Sequence, residues 1–208
     1  TTGSVDLAEK ATIWGTGQPQ PMFDPEFRPG DNLYSNSAMS FDLDTGRIKW
    51  FFQYTPNESW DYDEQGVHML VDAPFQGGAP RKMVAHFGRN GFVYLLDRLN
   101  GQFINATQYV EKVNWTAGID PKTGKPMEYN PSLAVQTYIP ATRFLRGEKN
   151  NAMACPHLLG GVRWQPPSYN PTKNLFYSVG TDGCFSLDLI TVTALPGGGI
   201  DPAGPGGM

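Results

Sequence analysis

The feature that most limits how this chain can fold is a short unit that returns along it. Ala38 to Phe41 reads as a strand, Asp44-Thr45-Gly46 as a turn with Gly available for positive φ, and Ile48 to Gln53 as the returning strand. A degenerate second copy runs from Phe92 to Ile104. Aligning Asp42 with Asp97 puts Gly46 on Gly101, while Trp50 falls on Asn105. A third copy begins at Phe176-Tyr177-Ser178-Val179 and Cys184-Phe185-Ser186-Leu187-Asp188, then breaks off. Copies that start roughly 55 to 90 residues apart suggest propeller blades with inserted loops.

Composition agrees with an all-β reading. Gly (24) and Pro (18) make up about a fifth of the 208 residues, and only 17% are charged. That balance favours short strands and tight turns over long amphipathic helices. No apolar run is long enough to cross a bilayer. A net charge of −4 without a basic cluster argues against a nucleic-acid partner. The chain has no signal peptide and no initiator Met, so it reads as a mature product or a fragment.

Between the copies, Ala11 to Gly17 is a β-rich run that the prolines at 19 and 21 turn into a loop. Met22 to Asn32 reads as surface loop. Lys82 to Phe87 is a strand and Arg89-Asn90-Gly91 a tight hairpin turn. Val110 to Ala141 is long and irregular around a turn at Asp120-Pro121-Lys122-Thr123-Gly124. The Gly/Pro-rich 195–208 segment has no core-forming pattern and reads as a tail, mobile or laid along another surface, behind a 1–194 domain.

Chemistry concentrates in Thr55-Pro56-Asn57-Glu58-Ser59-Trp60-Asp61-Tyr62-Asp63. If that run is extended, Asp61 and Asp63 point to the same side. Like charges held so close either raise one pKa or bind an oxygen-loving cation. Two solvated loop aspartates would give the same spacing. Cys155 and Cys184 could be two core thiols or a disulfide. His68, His86 and His157 are scattered without metal-ligand spacing and read as structural.

The run Thr45-Gly46…Trp50…Gln53…Thr55-Pro56…Trp60-Asp61-Tyr62-Asp63 resembles the quinoprotein alcohol dehydrogenases, which use pyrroloquinoline quinone (PQQ). The likeness extends from Trp14 to about Asp188. It implies an eight-bladed propeller, of which this length would supply about three to four blades. It also identifies the repeat as a motif whose Trp stacks between neighbouring blades; Trp50 matches and Asn105 does not. By that resemblance Asp61 is the general base and an ion ligand. Asp63 is the extra carboxylate of lanthanide-dependent members, where calcium-dependent ones carry a small residue. Arg89 bonds the cofactor's carbonyl oxygens, and Cys155 and Cys184 form a disulfide, which implies the periplasm or the cell exterior.

Two residues depart from the family pattern. Gln18 stands where an Asn metal ligand is usual, keeping the amide oxygen on a longer arm. Arg163, in Gly160-Gly161-Val162-Arg163-Trp164, replaces a cofactor-contacting Asn and could instead bond a PQQ carboxylate. The resemblance places the cofactor-stacking Trp, a metal-binding Glu and a ring of adjacent cysteines ahead of Thr1. It therefore implies a partner polypeptide or further sequence for the remaining propeller half, and an external electron acceptor such as a cytochrome c. No Cys-x-x-Cys-His run for covalent haem is present. The expected function is oxidation of alcohols to aldehydes with PQQ and a lanthanide, or alternatively calcium. The competing expectation is a non-catalytic propeller module for binding or assembly.

Overall fold

The computed structural model describes residues 2–144, 151–189 and 197. The expectation for the 195–208 tail falls almost wholly outside them. Two four-stranded antiparallel sheets dominate. The first is β1 (Ser4–Asp6), β2 (Ala11–Gly15), β3 (Ser37–Asp42) and β4 (Ile48–Gln53), each strand pairing with the next. The second repeats the arrangement with β5 (His68–Pro74), β6 (Pro80–Phe87), β7 (Phe92–Asp97) and β8 (Phe103–Gln108). A third, two-stranded sheet pairs β9 (Ser168–Asn170) with β10 (Leu175–Tyr177).

The recurring unit is the outer hairpin of each large sheet, and its turn chemistry repeats. Asp42 Oδ1 accepts the N–H groups of Asp44 and Thr45, while Gly46 N–H closes onto the Asp42 carbonyl at 2.8 Å. Asp97 does the same through Leu99 and Gly101, and Asp120 through Lys122, Thr123 and Gly124. An Asp side chain that caps its own turn explains why the pattern reads locally. The turn at Asp120 is thus a third copy of this geometry, joined by a single bridge between Ile119 and Pro126. The proposed copy after Phe176 is less complete: Leu175–Tyr177 is a strand, but Phe185 forms only an isolated bridge with Ala154.

Trp50 ties the first sheet to the second. Its indole lies against Gly101, where an added Cβ would come within 2.6 Å of the ring, and its Nε1 donates to the Arg98 carbonyl at 3.0 Å. Gly101 sits at φ +73°, so both the turn and the ring demand the absence of a side chain. Asn105, the aligned position in the second sheet, instead bonds Thr107 on its own strand. Arg98 adds a charged tie, with Asp6 on β1 at 2.8 Å and Asp72 on β5 at 2.7 Å.

The main core lies between and below the sheets and is mostly aromatic: Trp50, Phe52, Tyr54, Trp60, Tyr62, Phe92, Tyr94, Trp115 and Tyr138. Burying such rings is the main stabilising term for a chain this rich in loops. Three strands escape the sequence reading. β1 and β9 are three residues each, and β5 carries an Asp, a His and a Pro that dilute any alternating pattern.

Candidate active site

The connection from β4 to β5 carries both aspartates. It is not a strand, yet burial alternates along it: Trp60, Tyr62 and Glu64 are wholly buried, while Asp61 and Asp63 keep 16% and 19% of their side chains exposed. The large rings root the segment. Trp60 Nε1 donates to the Thr142 carbonyl at 2.8 Å and Tyr62 Oη to that of Pro156 at 2.7 Å. The two carboxylates therefore share a side, as alternation implies, but the backbone differs from the extended form. Asp61 is left-handed at φ +66°, a region Asp enters more readily than most residues.

Arg89 comes to the same place from the β6–β7 turn. Asn90 fastens that turn through Thr55 and the Tyr94 hydroxyl. The guanidinium does not cap the hairpin but reaches away from it. Its Nη1 lies 2.6 Å from Asp63 Oδ2 and its Nη2 3.5 Å from Asp61 Oδ2, and Nη2 also donates to the Leu158 carbonyl. Its Nε is buried without a partner among the described residues. Gln18 closes on Asp63 from the loop after β2, through its backbone N–H at 2.8 Å from Oδ1. Four of the five residues expected from sequence thus meet at one point.

The fifth, Arg163, stands on the wall of the adjoining cleft. That cleft is lined by Asp63, Gln65, Gly66, Arg89, Arg163 and Trp164 and measures about 170 Å³. Complete small-molecule sites usually run to roughly 300–1,000 Å³, so the cleft by itself is smaller than such a site. The Arg163 guanidinium has no hydrogen-bond or ion-pair partner among the described residues, but its charge acts on Asp61. Gln65, Gly66 and Trp164 carried no signal by themselves. Trp164 adjoins Arg163 in the sequence, and an exposed Trp beside a cleft is a clue only once the fold is known.

Burial raises the Asp61 carboxyl above its ordinary value; Arg89 opposes that shift, Asp63 adds to it and Arg163 opposes it. A carboxylate with raised basicity is a better proton acceptor near neutrality. Behind the cleft lies a polar cluster that sequence reasoning did not assemble. Glu64 Oε2 takes His86 Nε2 at 2.8 Å and the Arg89 N–H at 3.2 Å. His68 stacks flat on His86 at 4.0 Å and bonds the Tyr54 hydroxyl at 3.0 Å. Burial, then the neighbouring His86, pushes His68 well below the usual imidazole value, which keeps it neutral. Both histidines are buried and hydrogen-bonded inside the protein.

The disulfide expected between Cys155 and Cys184 is present. It holds the segment whose Pro156 carbonyl receives the Tyr62 hydroxyl, just below the aspartates.

Residues 1–115 match the glucose/ethanol/alcohol dehydrogenase β-propeller domain family of PQQ proteins. The chain belongs to the quinoprotein alcohol dehydrogenases. It is 39% identical to quinoprotein alcohol dehydrogenase PedH of Pseudomonas putida over 176 residues, 84% of this chain and 28% of that protein. It is 35% identical to the lanthanide-dependent methanol dehydrogenase of Methylorubrum extorquens over 184 residues, 88% of this chain and 30% of that protein. Its fold superposes on a europium-containing methanol dehydrogenase with a TM-score of 0.82 at 32% identity, covering 96% of this chain and 32% of that one. The chain thus spans about a third of the length of the quinoprotein dehydrogenases it matches, and its sheets are blades of their β-propeller.

For a quinoprotein dehydrogenase the donors present fit the expected groups in part. The buried, unpartnered Arg89 Nε and the Arg163 guanidinium are donors suited to an anionic, carbonyl-rich cofactor. Asp61, Asp63 and the Gln18 amide are hard oxygen donors. Among the described residues no group of three or more His, Cys, Asp or Glu is placed to hold an ion, so any full coordination sphere needs ligands from beyond them.

Proposed function

We propose that this chain forms one wall of the active site of a PQQ- and metal-dependent dehydrogenase that oxidises alcohols to aldehydes, with Asp61 as general base. The observation that carries this is the meeting of Asp61, Asp63 and Arg89, from the connections of two successive blades, at the edge of one cleft.

A bound PQQ would supply the hydride acceptor and a bound metal ion Lewis acidity, with Asp61, Asp63 and Gln18 as this chain's ligands to the ion and Arg89 and Arg163 as its donors to the cofactor. Asp61 receives the substrate hydroxyl proton, aided by the basicity that burial gives it. Arg89 offers its free Nε to the cofactor while its two Nη atoms keep the aspartates in place. Asp63 contributes the extra negative charge that a trivalent ion favours over calcium; Gln18 contributes its amide oxygen. Arg163 would hold a cofactor carboxylate from the same wall. The remaining ion ligands and the opposite face of the cofactor come from the rest of the propeller, in another chain or further sequence. An external acceptor such as a cytochrome c takes the electrons. The disulfide suits an oxidising compartment, hence the periplasm or the cell exterior.

The test is Asp61→Asn in the assembled, cofactor-loaded enzyme, with a primary alcohol and a dye acceptor. The rate should fall by about 10²–10⁴-fold while the absorption of bound quinone persists. A wild-type rate would refute the assignment of Asp61. Wild-type protein that never acquires quinone absorption would instead favour a non-catalytic propeller module.

A further inference from the structure

We propose that Glu58 is the positioning residue for Asp61: its side chain bridges the backbone N–H groups on both sides of Asp61 and holds that residue in its left-handed conformation. This rests on the reading of Asp61 as general base.

Glu58 Oε1 accepts the N–H of Tyr62 at 3.0 Å and also that of Trp60. The intervening residue, Asp61, lies at φ +66°, where side-chain-bearing residues are disfavoured. Backbone N–H groups that converge around a left-handed residue form a concavity for an anion, and Glu58 fills it from within the same loop. The carboxyl is wholly buried and its Oε2 has no partner among the described residues. Arg28 is close, yet its Nη2 donates to the Glu58 backbone carbonyl, its Nε to that of Pro21 and its Nη1 to Asn32. Among the described residues the side chain's only hydrogen bonds are the two that flank Asp61. Burial of a carboxyl is unfavourable without such a role; it pushes Glu58 up to about 7, against those two N–H groups and the charge of Arg28, with Asp61 adding to the rise.

Glu58 is not what anchors the loop as a whole. The Trp60 and Tyr62 rings are separately fixed to Thr142 and Pro156, and Asn36 holds the Tyr62 carbonyl at 2.7 Å. Those contacts fix the rings but leave the torsions at Asp61 to the Glu58 bridge. Losing the bridge should thus let Asp61 relax away from Arg89 while the fold persists.

Three variants of the assembled enzyme separate reach from charge: Glu58→Gln, Glu58→Asp and Asp61→Asn. Glu58→Gln keeps the acceptor at full reach without the charge, and kcat should stay within about threefold of wild type. Glu58→Asp keeps the charge but is one methylene too short to bridge both N–H groups. Its kcat should fall on the order of 10²-fold with KM little changed, while bound-quinone absorption and cooperative melting persist. Wild-type kcat in Glu58→Asp, or equal loss in Glu58→Gln, overturns the proposal. Where the Asp variant does not fold, a large loss of kcat in Glu58→Gln still overturns the proposal. A fully active Asp61→Asn would instead remove the base reading on which the proposal rests.

Discussion

Arg89 and Asp63 come from the connections of two successive blades, and their Nη1 and Oδ2 atoms stand 2.6 Å apart. The same guanidinium lies 3.5 Å from Asp61, so one cation balances two carboxylates at the edge of a cleft. Each Asp63 oxygen is already bonded once, to Arg89 or to the Gln18 N–H, and retains a second lone pair for an ion.

Arg89→Ala should therefore leave Asp61 and Asp63 facing each other uncompensated. The carboxylates are only partly buried, at 16% and 19% exposure, so the loss should be nearer 2 kcal/mol than the roughly 3–5 kcal/mol of a fully buried broken pair. Denaturant unfolding of the metal-free assembly measures it. Adding a divalent or trivalent cation should restore part of the loss, because the ion replaces the missing positive charge. A variant as stable as wild type, indifferent to added cation, would contradict the shared-charge account.

Glu58 gives a pH dependence with a definite sign. Burial raises it to about 7 from an ordinary value of 4.5, so the folded protein holds a proton that the unfolded chain releases in between. Stability from the protonated form is fully present below about 4.5 and is lost as pH rises through about 7, a change of order 3 kcal/mol. Glu58→Gln cannot lose that proton. The melting temperature of wild type relative to Glu58→Gln should fall steadily across this window, and a flat difference would show that Glu58 titrates normally.

The Trp50–Gly101 contact predicts how neighbouring blades are coupled. Gly101→Ala adds a methyl group 2.6 Å from the indole at a backbone φ of +73°. Overpacking and left-handed strain together should cost about 3 kcal/mol, read as a lowered urea midpoint. Gly46→Ala has the same backbone requirement, at φ +70°, but nothing within 4 Å of the new methyl. It should cost only the conformational part, about 1 kcal/mol. Equal losses at the two sites would mean that Trp50 does not press on the neighbouring turn.

The disulfide closes a loop of 29 residues. In the chain-entropy view its removal by Cys155→Ala with Cys184→Ala should cost roughly 4 kcal/mol, less whatever structure the unfolded chain retains. Thiol titration of denatured, unreduced wild type should find no free sulfhydryl. Two free thiols would undo the argument for an oxidising compartment.

What could be read from the sequence was local. The hairpins around Asp42–Gly46 and Asp97–Gly101 were legible because an Asp cap and a left-handed Gly act within five residues. β5 was not, since its pairing with β6 runs from His68 opposite His86 to Pro74 opposite Pro80 and needs that partner to declare it. The pairing of Asp61 with Asp63 could be read from their spacing, but Arg89 was visible only through family resemblance, because 26 residues separate it from Asp63 and no spacing rule links them. Glu58 lay in plain view within the Thr55–Asp63 run. Its role appears only with the φ of Asp61, which propensities do not reveal.

The most direct test of the whole account is the ion response of Asp63→Ala. The stripped assembly, wild type and variant, is reconstituted with PQQ and either a lanthanide or calcium, and oxidation of a simple primary alcohol is followed. Coulomb attraction scales with ionic charge, so removing one carboxylate should weaken the lanthanide-loaded enzyme more than the calcium-loaded one. The account predicts that Asp63→Ala loses its lanthanide preference and keeps, or gains, activity with calcium. Identical responses of both proteins to both ions would contradict it, leaving Asp63 a bystander at the edge of the cleft.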